Sequence, residues 1–132
     1  MIKQHEKWLH KAHDDLSFAH LGLENQYYSQ VCFLSQQCIE KCIKGYMVYQ
    51  GMLYERTHNL IKLLHTVADL EEDLKSTLTE IRFIDEFYIP ARYPDGIPGG
   101  LKDQAPTEKH AKLALDTAQR VYEIVSNKIR KQ

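Results

Sequence analysis

A chain of 132 residues is the length of one domain and can bury a hydrophobic core without disulfides or metals. Seventeen Lys and Arg against eighteen Asp and Glu give a formal net charge of -1, which excludes nucleic-acid binding through overall charge and leaves only a local basic patch. No apolar run approaches the roughly eighteen residues that cross a bilayer. Three cysteines without a C-x-x-C pair and no signal-peptide pattern indicate reduced thiols in a cytoplasmic protein.

The first two predicted elements are long helices joined by a short turn. Apolar residues recur at spacings of three and four from Lys3 to about Glu24, which predicts an amphipathic helix. After a break at Asn25-Gln26, a second helix is predicted from Tyr28 to Tyr49, with Gly51 where a helix C-terminus favours glycine. Because the link is so short, we expect these two helices to lie antiparallel.

Three more helices are predicted in the rest of the chain. Thr57 is suited to cap the start of the third, and the acidic run from Asp69 to Asp73 is expected to interrupt it. The fourth should run from Leu74 to Ile89, because Pro90 disfavours helical geometry in the residue before it. The fifth runs from about Thr107 to Lys131. No strand pattern is present, so we predict an all-α, up-and-down antiparallel bundle of four to five helices in a single domain over residues 1–132.

The second helix carries an unusual polar stripe, formed by Gln36, Gln37, Glu40, Lys41 and Lys44. Glu40 precedes Lys44 by four residues, the orientation that favours a helix-surface ion pair worth about 0.3–0.5 kcal/mol. Two interpretations follow from this pattern. The stripe is either the solvated face of a bundle helix or a face that is free to bind a ligand or partner.

Proline and glycine are concentrated between the fourth and fifth helices. Three of the four prolines and three of the six glycines lie between Pro90 and Gly100, which predicts a loop over residues 91–105. Within it, Arg92 can grip a phosphate with two N–H groups, and Tyr93 can stack on a base or close a pocket. The alternative is an ion pair from Arg92 to Asp85 or Glu86 that fixes the loop to the bundle.

Histidines give two weaker signals. His58 lies near the start of the third helix, where a histidine serves either acid–base chemistry or helix capping. Glu6, His10, His13 and His20 lie close to one stripe of the first helix, a spacing that can hold a transition metal. Because the H-E-x-x-H pattern is absent, a polar helix face is the favoured interpretation, and we predict neither a metal nor another cofactor.

Four short motifs follow one another along the chain at suitable spacing. They are Trp8 with Ala12, Asp15 and Leu16; Gln36-Gln37-x-x-Glu40-Lys41-x-x-Lys44; Thr57-His58-Asn59-Leu60; and Ala91-Arg92-Tyr93-Pro94-Asp95. Together they resemble a HEPN domain, the higher eukaryote and prokaryote nucleotide-binding domain, over roughly Lys7 to Ile129. The resemblance implies a helical bundle, commonly a homodimer, that binds nucleotides or RNA. Small stand-alone prokaryotic members pair with a separate minimal nucleotidyltransferase, often as a toxin–antitoxin module.

Other HEPN proteins are metal-independent ribonucleases, in which an Arg is followed after four to six residues by a His. Those two side chains assist attack of the RNA 2′-hydroxyl on its phosphate. This chain departs from that pattern, because the positions that follow Arg92 at this separation are Ile97, Pro98 and Gly99. The resemblance therefore favours a binding module over an enzyme acting on its own. The alternatives are a ribonuclease toxin that uses His58 and Arg92, and a dimer that contacts only other proteins. The residues expected to line a groove for a nucleotide phosphate or for the partner nucleotidyltransferase are Lys41, Lys44, His58, Arg92 and Tyr93.

Overall fold

The computed structural model of the chain describes residues 3–52, 62, 63, 65, 67, 72–77, 79–84 and 106–130. Four helices have both ends within these residues: α1 (Gln4–Glu24), α2 (Tyr28–Tyr49), α3 (Glu72–Lys75) and α4 (Glu108–Arg130). The described residues between 62 and 67, and residues 79–84, are also helical. None of the described residues lies in a strand, and the predicted all-α fold is confirmed.

The α1–α2 hairpin begins and ends within one residue of the predicted positions, and both helices end in the same hydrogen-bonded motif. After α2, Gly51 takes a φ of 78°, and the Met52 N–H donates to the Met47 carbonyl over 2.8 Å. After α1, Gln26 takes a φ of 66°, and the Tyr27 N–H donates to the Gly22 carbonyl over 2.9 Å. Each left-handed residue closes a Schellman turn that satisfies the last carbonyls of its helix. Glycine marks the second turn in the sequence, and the predicted break at Asn25-Gln26 lies at the first.

Two glycines allow α1 and α2 to pack closely. A Cβ on Gly22 would lie 3.0 Å from Cγ2 of Val31, and a Cβ on Gly45 would lie 3.0 Å from Cβ of Trp8. The start of one helix therefore lies beside the end of the other, as the predicted antiparallel arrangement requires. The approach at Gly45 also fixes the position of Trp8 against α2.

The α4 helix packs against both members of the hairpin. His20 shares a 3.0 Å hydrogen bond with Gln119, and the His13 ring lies 5.7 Å from that of Tyr122, so α4 is antiparallel to α1. The apolar inner faces of α1 and α4 are buried, except that Leu23 and Tyr122 are only partly so. The buried core of these two helices consists of Leu9, Ala12, Leu16, Ala19, Ala111, Ala114, Leu115, Ala118, Val121, Val125 and Ile129.

The predicted fourth helix is wrong at its start. Helix α3 already begins at Glu72, within the acidic run, and ends at Lys75, and Ser76 and Thr77 form a turn. The Thr77 hydroxyl donates to the Leu74 carbonyl over 2.6 Å, and the Thr77 N–H donates to the same oxygen over 3.0 Å. Threonine thus offers the backbone a local alternative to a continuing helix. The predicted cap at Thr57 and the predicted helix end before Pro90 lie outside the described residues.

Candidate phosphate-binding groove

The polar stripe of α2 is largely buried, so its interpretation as a face free to bind is wrong for three of its residues. Gln36, Glu40 and Lys44 are 0%, 4% and 5% exposed. Part of the cover comes from α1, because the Lys44 ammonium lies 5.9 Å from the centre of the Trp8 ring. Side chains of a second helix, which local sequence does not show, therefore exclude water from this stripe.

The predicted ion pair between Glu40 and Lys44 is present at 3.3 Å, but it is inside the protein instead of on its surface. A charge that leaves water stabilises a fold only when it is well paired and hydrogen-bonded. Lys44 accordingly interacts with Glu40 and the Trp8 ring within the structure. It would act on a bound ligand through its electric field, not through direct contact.

Lys41, the next cation of the stripe, lies at the edge of this buried region. Its ammonium donates a 2.6 Å hydrogen bond to the Asp15 carboxylate of α1, with both side chains roughly one-fifth exposed. Such a charge-assisted bond is among the stronger hydrogen bonds in proteins. The pair joins α1 to α2 and holds the Lys41 ammonium in place.

An open groove of about 420 Å³ lies between α1 and α2 beside this pair, and we call it the α1/α2 groove. Its lining residues are Gln4, Lys7, Trp8, Lys11 and Lys41. The four α1 residues recur at helical spacing, so their side chains emerge along one flank of the helix. Lys7 and Lys11 are exposed and Trp8 is half-buried. Three lysine side chains and one indole ring therefore line this groove. Lysine ammonium groups can neutralise a phosphate, and an indole ring can stack on a base.

The five predicted site residues are only partly located by the structure. Lys41 lines the α1/α2 groove, and Lys44 lies under the Trp8 ring that forms its wall. His58, Arg92 and Tyr93 lie outside the described residues. Lys7 and Lys11 were not among the predicted site residues, although their positions on the same helical flank as Trp8 could have indicated them.

Other chemistries have little support in the part of the chain that the structure describes. No three His, Cys, Asp or Glu side chains in it are grouped so as to hold a metal ion, and no helix in it is long and apolar enough to cross a membrane. The three cysteines are free and buried. Burial raises the pKa of the Cys32 thiol to about 12 and also raises that of Cys42. Buried neutral thiols are poor nucleophiles.

Comparison with known proteins gives four further findings. A family model described as the HEPN domain matches residues 5–129. A Methanocaldococcus jannaschii protein named "Putative toxin MJ1304" is 25% identical over 134 positions, which cover 96% of this chain and 88% of that protein. The crystal structure of ST0689, described as an archaeal HEPN homologue, has a TM-score of 0.74 and 34% identity, covering 97% of this chain and 99% of that one. The crystal structure of TT1696 from Thermus thermophilus has a TM-score of 0.79 and 32% identity, covering 96% and 99%.

Proposed function

Because the chain belongs to the HEPN domain family, we propose that it is a binding module that holds the phosphate of a nucleotide or RNA in the α1/α2 groove. The observation that carries this proposal is the grouping of Lys7, Lys11 and Lys41 around the Trp8 ring. The chain as a whole is nearly neutral, so a local cluster of this kind is what a phosphate ligand requires. The groove also offers a planar apolar surface for a base.

Each side chain has a distinct part in this proposal. Lys7 and Lys11 are exposed cations that meet the phosphate first. Lys41 supplies the third ammonium, whose positive charge is partly offset by its pair with Asp15. Lys44 is paired with Glu40 beside the ring, so these two buried charges largely offset each other. We retain His58, Arg92 and Tyr93 as proposed members of the same site.

The proposed biological setting is a toxin–antitoxin module in the cytoplasm. The family resemblance suggests a homodimer that acts with a minimal nucleotidyltransferase, and the name of the M. jannaschii relative supports the toxin role. In this setting the basic groove would face either the nucleotide or the nucleotide-bearing partner. A co-purifying nucleotidyltransferase would support the partner. A chain that purifies as a monomer and captures no such enzyme would contradict it.

The melting temperature across a panel of nucleotides, with and without magnesium, tests the binding site. A ligand at one hundred times its dissociation constant stabilises a protein by about 2.7 kcal/mol, and each kcal/mol is worth roughly 2–8 °C for a domain near this size. We expect a shift for the wild type that is lost in the Lys7→Gln/Lys11→Gln double variant. Lys112→Gln is the matched control, because Lys112 is an exposed lysine of α4 that pairs with Glu108 and lies outside the groove.

Two results of this experiment would contradict the proposal. The absence of a shift with every nucleotide would favour a purely protein-binding dimer. An undiminished shift in the double variant would place the ligand elsewhere on the bundle. Emission from Trp8 gives an independent signal, since it is the single tryptophan of the chain and lines the groove.

A metal-independent ribonuclease toxin is the second candidate, since the M. jannaschii relative is named as a putative toxin. In this alternative Arg92 stabilises the phosphate and His58 transfers the proton. RNA would be cleaved without divalent metal, and His58→Ala or Arg92→Ala would abolish cleavage. Intact RNA after prolonged incubation with the wild-type protein would count against it.

A further inference from the structure

The flank of α1 that faces α4 carries a second groove, separate from the one described above. Residues 10 and 13 lie on the opposite side of the helix from Trp8 and Lys11, because each residue advances about 100° around the axis. Two adjoining cavities of about 300 and 460 Å³ lie here and share His10 and Arg130. We call them together the α1/α4 groove.

Rings from three helices form both ends of the α1/α4 groove. At one end the His13 ring lies 5.7 Å from Tyr122 of α4, at an angle of 53°. At the other end the His5 ring meets Tyr49 of α2 edge-on at 5.1 Å. Between them lie the shared imidazole of His10 and guanidinium of Arg130. Packed helices thus build this groove.

The charges that face the α1/α4 groove balance only when its imidazoles are neutral. The permanent cations are Lys3 and Arg130, and the carboxylates are Glu6 and Asp14. Three imidazoles lie beside them, from His5, His10 and His13. The phenols of Tyr49 and Tyr122 are the remaining titratable groups. Each imidazole can donate an N–H group to an anion, and it adds a positive charge to the groove when it is protonated.

Arg130 is available to a ligand. It is exposed, and among the described residues no carboxylate forms an ion pair with it. A guanidinium presents a planar fork of N–H donors that fits two oxygens of a tetrahedral anion. His10 and His13 are exposed along the same groove and can donate N–H groups once protonated.

We propose that the α1/α4 groove binds a phosphate-type dianion, gripped by Arg130 and by the protonated rings of His10 and His13. Because the permanent charges of the groove balance, protonation of these rings is what would make the groove positive and tighten its hold on the anion. It is distinct from the α1/α2 groove and does not depend on the function proposed for that groove.

Sulfate is a suitable probe because it keeps two negative charges between pH 5.5 and 8. Any change in its affinity over this range therefore comes from protonation of the protein and not of the ligand. Titrating the full chain with sulfate at low salt, and following the ring protons of the histidines by NMR, measures affinity and location together. We expect binding at least about tenfold tighter at pH 5.5 than at pH 8, from the approach of protonated imidazoles to a dianion. Shifts should be confined to His5, His10 and His13, with His20 unaffected.

Variants separate the contribution of Arg130 to sulfate binding from that of the two histidines. Arg130→Gln should weaken sulfate binding about tenfold at both pH values, and His10→Gln/His13→Gln should bind at pH 5.5 no better than at pH 8. All three residues are exposed, so the variants should fold, which their circular dichroism and melting temperatures would verify. His20→Gln is the matched control on the same helix, since His20 pairs with Gln119 outside the groove. Wild-type affinity in Arg130→Gln, or an undiminished pH response in the histidine double variant, would overturn the proposal.

Orthophosphate and AMP, compared at pH 6 by the affinity of the dianion that each contains at that pH, identify the form in which the anion arrives. Equal affinities would indicate the free anion, whereas tighter binding of AMP would indicate a phosphate monoester. Failure of sulfate, orthophosphate and AMP alike to shift the histidine protons would refute the site. None of these results depends on whether the Lys7→Gln/Lys11→Gln variant loses its nucleotide, so the two proposals can fail separately.

Discussion

Asp15 limits the positive charge of the α1/α2 groove, because its carboxylate neutralises Lys41 at 2.6 Å. Asp15→Asn removes this negative charge and keeps the shape of the side chain. A phosphate oxygen bound to the far side of the Lys41 ammonium, at about 2.8 Å, would lie about 5.4 Å from the Asp15 carboxylate. Two unit negative charges at that separation repel by about 0.8 kcal/mol at the dielectric constant of water and about 3 kcal/mol at an effective value of 20.

The substitution should therefore tighten nucleotide binding and weaken the fold. Allowing for screening by salt, we expect Asp15→Asn to bind at least about threefold more tightly than the wild type. The lost ion pair is partly exposed, so the free energy of unfolding should fall by about 1 kcal/mol or less. Trp8 emission measures the affinity, and thermal unfolding without ligand measures the stability.

The opposite signs of the two effects make this prediction specific. Asp116→Asn is the control, because Asp116 is an exposed carboxylate of α4 outside the groove, and it should change neither quantity by much. If Asp15→Asn bound nucleotide equally or more weakly, the phosphate would not lie beside Lys41. The proposed site would then be wrong even if the variant were less stable.

Three further predictions concern the stability and reactivity of the bundle. In Gly45→Ala, the new methyl group would overpack against Trp8 at 3.0 Å, which should cost about 1–3 kcal/mol and exceed the helix-propensity gain of about 1 kcal/mol. Urea unfolding should therefore show a lower free energy of unfolding than for the wild type. A stabilised variant would contradict the close packing. Because burial raises the pKa of Cys32 to about 12, a thiol reagent at pH 8 should label the protein only after denaturation, and rapid labelling of the native protein would refute this. The Arg120 side chain donates a 2.9 Å hydrogen bond that lowers the pKa of Glu80 below its ordinary 4.5, so the pair stabilises the fold above that pH and ceases to do so as the pH falls. Arg120→Gln should be less stable than the wild type at pH 7 by about 1 kcal/mol or less and equal to it near pH 3, and a constant difference would contradict the assignment.

The sequence by itself determined the elements whose signals are local. Apolar residues at spacings of three and four, together with the break before Tyr28 and the glycine after α2, placed α1, α2 and α4 to within about a residue. The order of the four motifs likewise indicated the HEPN family, which the family model confirms. These signals are sufficient because helix periodicity and helix ends depend on neighbours only a few residues apart. The turn at Ser76-Thr77 was missed, because side-chain competition with a continuing helix depends on the fold around it.

Only the tertiary structure decided which polar residues face water. The sequence placed Glu40, Lys41 and Lys44 on one stripe of α2, but the folded chain buries Glu40 and Lys44 and leaves Lys41 at the rim of a groove. The other lysines of that groove belong to a different helix. In the α1/α4 groove, the arginine is more than a hundred positions along the chain from the histidines. The burial of a side chain and the charge around it depend on all the residues that pack near it, including residues far away in the sequence. The helix that each face meets, and therefore the chemistry of each groove, emerges only when the chain packs.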